Sequence, residues 1–163
     1  MASDPGPQEP QHPAPNEGLG RTLVVLQFAL IGGLALLAAP AILGGRAPSG
    51  AWWLAAAGAA VGAWALAANR PGNFNIRPTP RAGGQLVDQG PYRWIRHPMY
   101  TSVGALAAAC VGAAPSAWSA GAALALAAVL GTKALLEERW MAAAHPGYAG
   151  YRARTRRFLP GLF

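Results

Sequence analysis

A single cysteine, Cys110, in a chain of 163 residues excludes an intramolecular disulfide and leaves no cysteine-based zinc site. Lying in an apolar run, it reads as small core filler. The three histidines, His12, His97 and His145, share no ligand-like spacing on one helix, so no metal centre is expected. No GxGxxG follows a strand-like run, which excludes a Rossmann dinucleotide fold. No repeat recurs along the chain. Charge is scarce: 12% of residues are charged and 53% hydrophobic, where a soluble domain carries about a quarter charged. Six acidic residues face 13 lysines and arginines, a net charge of +7.

Long apolar runs are what the chain has instead. Residues 22–43 form an uncharged run of 22, roughly 33 Å as a helix, which matches a hydrocarbon core of about 30 Å. Residues 51–68 are a second uncharged run, with Trp52 and Trp53 at its entrance, where amphipathic rings settle at headgroup level. Residues 101–132 are a third, and as one helix they would reach roughly 48 Å, too long for the core. Ala114, Pro115 and Ser116 interrupt that run, so two short helices in a hairpin fit better. The expected fold is an all-α integral membrane protein with about four spans, near 22–43, 51–68, 98–114 and 117–136. Residues 1–20 carry Asp4, Glu9 and Glu17 among prolines and lack the positive start of a signal peptide. They are expected to be a disordered cytoplasmic tail, and 21–163 a single membrane domain.

Cytoplasmic loops collect Lys and Arg, which tests the hairpin. With an outer turn at Pro115, only Arg46 of the 13 basic residues falls outside, and both termini are cytoplasmic. A single kinked helix would instead export Lys133 and Arg139 together with Arg152, Arg154, Arg156 and Arg157. The positive charge therefore reflects topology and attraction to anionic lipid, with no call for nucleic acid. Gly58 and Gly62 form a GxxxG pair that lets helices approach closely in lipid, compatible with a monomer or a homodimer.

Chemistry is then confined to two polar segments. In residues 70–97 the prolines and glycines forbid a long helix and give an irregular loop at the membrane surface. Pro98 suits a first helical turn, which places His97 at the helix entrance, with Arg96 and Arg93 nearby to favour an anionic group. The second segment carries Lys133, Glu137 and Glu138, then the tail HPGYAGYRARTRRFLP. Lys133 and Glu137 are four apart and share a helix face. Ionisable residues at membrane depth are candidates for function, whereas the tail arginines and Tyr148 and Tyr151 fit headgroup anchors and an interfacial aromatic belt.

The series LVDQGPYRWIRHPMY, a helical hairpin, EER and HPGYAGYRARTRRFLP resembles the isoprenylcysteine carboxyl methyltransferase and phospholipid methyltransferase superfamily of integral membrane enzymes. The resemblance implies methyl transfer from S-adenosylmethionine to a lipid-like or small hydrophobic acceptor, a carboxylate, amine or thiol, at the cytoplasmic face. It implies a cofactor site made from the cytoplasmic loop and the hairpin: Gly84, Gln85, Leu86 and Val87, then Tyr92, then His97, Pro98, Met99 and Tyr100, with Glu137 as the acidic ligand. Lys133 stands where the isoprenylcysteine enzymes carry a substrate-binding arginine, and lysine cannot grip a carboxylate with two prongs. His145, Pro146 and Gly147 depart from the pattern of the relatives. Methyl transfer needs an aligned nucleophile and excluded water; an amine or thiol acceptor also needs a base, for which Glu138 and His97 are the catalytic candidates. Two other classes share the scaffold: an NADPH-dependent membrane reductase, as among sterol reductases, and a non-catalytic membrane scaffold.

Overall fold

The computed structural model describes residues 17–69 and 86–161. It contains helices α1 (Glu17–Leu43), α2 (Ser49–Ala68), α3 (Pro98–Ala113), α4 (Ala117–Ala144) and α5 (Tyr148–Arg154), with a 3₁₀ turn over Gly90–Arg93. Among the described residues there is no strand. One isolated parallel bridge joins Ile95 to Arg156.

Helix ends follow local chemistry. α1 carries Pro40 in its last turn and stops at Gly44 and Gly45, the latter at φ 65°, a left-handed conformation that suits glycine. Arg46 N–H then donates to Ala41 O at 2.8 Å and Gly45 N–H to Ile42 O at 3.1 Å, which satisfies carbonyls left open by the helix end. α4 opens on a capping box, in which the Ser116 and Ser119 hydroxyls each accept from the other's backbone N–H. Pro98 starts α3 with His97 as its N-cap, as the sequence implies.

α1 packs on α3 and α4, and α2 on α3 and the 3₁₀ turn. The core is thin and aliphatic: Leu34, Ala107, Leu126 and Leu130 form one cluster, Ala38, Ala51 and Ala113 another. Large apolar side chains such as Phe28, Leu36, Trp53, Trp118 and Leu124 lie on the outside, where lipid can bury them. Gly58 and Gly62 are spent inside the molecule. Ser102 Oγ donates to Gly58 O at 2.7 Å, and a Cβ on Gly62 would stand 2.6 Å from that hydroxyl. The α2–α3 contact thus occupies the face that the GxxxG pair offers.

Three helices are long and apolar enough to cross a membrane, Gly18–Leu43, Ser49–Ala68 and Ala117–Ala144. α3, with 16 residues, is shorter, about 24 Å. The interruption at 114–116 separates α3 from α4 as expected, but the two are unequal. α4 continues to Ala144, past the expected end of the span at 136, and carries Glu137 on the helix with Lys133, as their spacing implies, and Glu138 beside it. α1 begins at Glu17, inside the expected tail, because the apolar run recruits its polar N-terminal turn; residues 1–16 lie outside the described residues.

Candidate active site

Four pieces of chain meet at one end of the helices: the loop 86–97, the first turn of α3, the last third of α4, and the segment from α5 to Phe158. Backbone pairing fixes their register. Arg96 N–H donates to Arg156 O at 2.8 Å, Arg156 N–H to Trp94 O at 2.9 Å, and His97 N–H to Arg157 O at 3.1 Å. Thr101 Oγ1 adds a bond to Phe158 O at 2.6 Å, and Tyr151 Oη one to Tyr92 O at 2.9 Å. The C-terminal strap therefore holds the Arg-His-Pro turn against α4.

The two adjacent glutamates have different surroundings. Glu138, 5% exposed, accepts from Arg96 Nε at 2.9 Å and from Arg157 Nε and Nη2 at 3.0 Å each. Two guanidinium groups thus compensate its charge, and Arg96 is anchored further by Thr155 O at 2.6 Å. Glu137, 23% exposed, is the more open of the pair and accepts from the Tyr100 hydroxyl. His97 lies between them, with Nδ1 3.4 Å from Glu137 Oε2 and Nε2 3.3 Å from Glu138 Oε1. A neutral imidazole has one N–H and can donate to one carboxylate, whereas the imidazolium donates to both. Burial works against a charged ring, but the bonds to Glu137 and Glu138 outweigh it and raise the His97 pKa. The ring stacks on Tyr100, 5.4 Å between centroids, and meets Phe158 on another side at 5.9 Å. Burial first, and then the negative charge of Glu137, pushes the Tyr92 phenol up to about 12, so it stays protonated.

Lys133, 1% exposed, lies a turn before Glu137. Its Nζ donates to Gln27 Oε1 at 2.6 Å and stands 5.2 Å over the Tyr100 ring. Tyr92, His97, Tyr100, Lys133, Glu137 and Glu138 are thus gathered at or beside one cluster. Pro98 is buried and Met99 half-buried in the first turn of α3, and Leu86 and Val87 are half-buried at the start of the described loop. Gly84 and Gln85 lie outside the described residues. Three further participants were not singled out: Arg157, placed with the headgroup anchors; Thr155; and Gln27, whose signal was a long polar side chain inside the apolar run 22–43. Arg96 turns to Glu138 and Arg93 lies 5.7 Å from the Trp94 ring, so Arg96 is spent inside the protein instead of waiting for an anion at the α3 entrance.

Residues 51–143 match the isoprenylcysteine carboxyl methyltransferase (ICMT) family, which is more than half of the chain and takes in both the Arg-His-Pro turn and the paired glutamates. The chain belongs to the ICMT family. Comparison with curated proteins and with solved structures finds no match. ICMT-family membership and the three apolar helices together make this an integral membrane methyltransferase. Within the ICMT match lie α2 from Ala51 onward, α3 and Glu137; Gln27 and Arg157 lie outside it.

Proposed function

We propose that the protein transfers a methyl group from S-adenosylmethionine to a lipid-like acceptor at the cytoplasmic membrane face, with 21–163 as one domain. The observation that carries this reading is the Glu137 carboxylate, partly open, held by Tyr100 and His97 at the helix ends. The residues suit the cofactor's chemistry: an ammonium or sulfonium is cationic, and Glu137 offers a carboxylate with the rings of Tyr92 and Tyr100 close by. Gly84, Gln85, Leu86, Val87, Pro98 and Met99 complete the proposed cradle. The bound cofactor supplies an electrophilic methyl, so the protein's work is to align the acceptor and exclude water.

Proton traffic favours one acceptor class. Both nitrogens of His97 face carboxylates, and Glu138 is spent on two arginines, so neither is poised to take a proton. A carboxylate acceptor loses no proton on methylation, and Lys133 is the proposed cation for it. Glu138 and His97 then act by position, Glu138 by holding the strap and His97 by fixing Glu137. For topology we propose four spans, with α3 and α4 as a hairpin turning at 114–116 on the outer face and both termini cytoplasmic.

Calorimetric titration of detergent-purified protein with S-adenosylmethionine tests the function. Binding by the wild type that Glu137→Ala abolishes, with the variant still folded, is the expected result; equal binding by the variant would sink the assignment, and binding of NADPH in its place would make the protein a reductase.

A further inference from the structure

Beside the 3₁₀ turn lies a cavity of about 590 Å³ lined by Asp88, Gln89, Gly90, Arg93, Trp94 and Arg154. Its walls are separate from the glutamate cluster: the Tyr92 phenol lies in the field of Glu137, whereas the next two residues, Arg93 and Trp94, line the cavity. Trp94, 50% exposed, meets Trp64 with 5.6 Å between ring centroids, and Trp64, 46% exposed, stands one turn from the end of the apolar helix α2. A Cβ on Gly90 would come 2.7 Å from Ala68 Cβ and 3.3 Å from Trp64 Nε1, so the turn is seated directly on that helix end. Exposed tryptophans at the end of a span settle at headgroup level, which sets the depth at which the cavity opens.

The charges of the cavity do not balance. Arg154 Nη2 donates to Asp88 Oδ2 at 2.9 Å, a pair with both partners about half exposed and worth little in water. Arg93 lies over the Trp94 ring at 5.7 Å and donates to no carboxylate or carbonyl among the described residues. Counting Asp88 against the two arginines leaves one positive charge. A guanidinium presents paired donors that match phosphate oxygens, and Arg154 keeps donors beyond the one that Asp88 takes. One spare charge suits a phosphodiester, which carries one negative charge.

We infer that this cavity binds the phosphodiester headgroup of an anionic membrane phospholipid, with Arg93 and Arg154 on the phosphate and the Trp64–Trp94 pair beside its glycerol and chains. This lipid is a structural ligand and not the methyl acceptor, so the inference does not rest on the proposed reaction. A soluble phosphodiester would use the same donors but gain nothing from the tryptophans.

Native mass spectrometry of the full-length protein released from detergent tests this, with phosphatidylglycerol and phosphatidylcholine of identical chains as probes. The wild type should bind its first phosphatidylglycerol about tenfold more tightly than phosphatidylcholine. Arg93→Gln should lose about that factor, whereas Arg152→Gln, which removes an exposed arginine of α5 outside this cavity, should lose little. Asp88→Asn should bind phosphatidylglycerol several-fold more tightly, because it frees Arg154 and raises the charge of the cavity. General attraction to a basic surface predicts equal losses in the two arginine variants, and a merely structural role for the Asp88–Arg154 pair predicts weaker binding in Asp88→Asn. Glycerophosphoglycerol, the same headgroup without chains, should leave the lipid in place. A wild type without headgroup preference, equal losses in Arg93→Gln and Arg152→Gln, weaker binding by Asp88→Asn, or displacement of the lipid by glycerophosphoglycerol at matched concentration would each overturn the inference.

Discussion

Neighbouring residues of identical type can have opposite tasks when their partners come from different places. Glu138 is tied to Arg96, 42 residues earlier, and to Arg157, 19 residues later, whereas Glu137 meets the hydroxyl of Tyr100 on α3. Truncating Glu138 leaves two guanidinium groups without their anion, so Glu138→Ala should lose about 3–5 kcal/mol, read as a large drop in the melting midpoint in detergent. Arg157→Ala should cost less, because Arg157 is 27% exposed and water can replace part of the bond. An equal loss in the two variants would contradict the hub. His97 gives the pH dependence. Its pKa is raised by folding, so its contribution is complete below the unfolded value of about 6.5 and fades as pH rises through the raised folded value. A His97→Gln variant, scanned upward from about pH 6.5, should show a shallower fall in stability than the wild type; parallel curves would remove the imidazolium from the account. The double Glu and the Arg-His-Pro turn were both legible in the sequence. Which glutamate faces which partner was not, because that depends on where the strap returns.

Among the elements, α2 and α3 show how a legible motif can lack a legible partner. The GxxxG spacing announces a close helix contact, yet nothing in a spacing says whether the other helix belongs to the same chain. Here Ser102 occupies the groove, donating to Gly58 O, and a methyl on Gly62 would stand 2.6 Å from its hydroxyl. Gly62→Ala should therefore cost about 1–3 kcal/mol through overpacking. Adding Ser102→Ala removes the clashing oxygen, and the next nearest atom, Ser102 Cβ at 3.4 Å, is an ordinary contact. The double variant should then regain part of the loss, with a coupling that melting curves of the four proteins measure; strict additivity would place the contact elsewhere. The helix lengths were only half legible. The Pro115 region marks the break, but the end of α4 depends on Ala142 to Ala144 continuing the helix past the charged turn, which local composition permits and charge counting does not reveal.

At the scale of the molecule, the distribution of charge and the position of the cluster make the same demand on topology. The Arg-His-Pro turn, the paired glutamates and the strap are bonded together, so they occupy one side, and with them go Arg96, Arg152 and Arg154 to Arg157. Arg46 follows α1, at its opposite end. Apolar runs made the membrane helices legible in the sequence, because bilayer thickness acts on composition alone, and the arginine distribution is what supports the proposed sidedness. The strap's register was not legible, since three backbone bonds between 94–97 and 156–157 leave no mark on side-chain pattern. Cys110 is the chain's one cysteine, so a Cys110→Ser background makes single introduced cysteines informative. In that background Ser116→Cys should react with a membrane-impermeant maleimide added outside intact cells, and Ala153→Cys in α5 only after the membrane is opened. Labelling of both positions from outside would mean that α4 does not cross. The reverse pattern would invert the whole molecule, turning the cluster and its arginines to the outer face against the positive-inside bias, and would require a cofactor supply on that side.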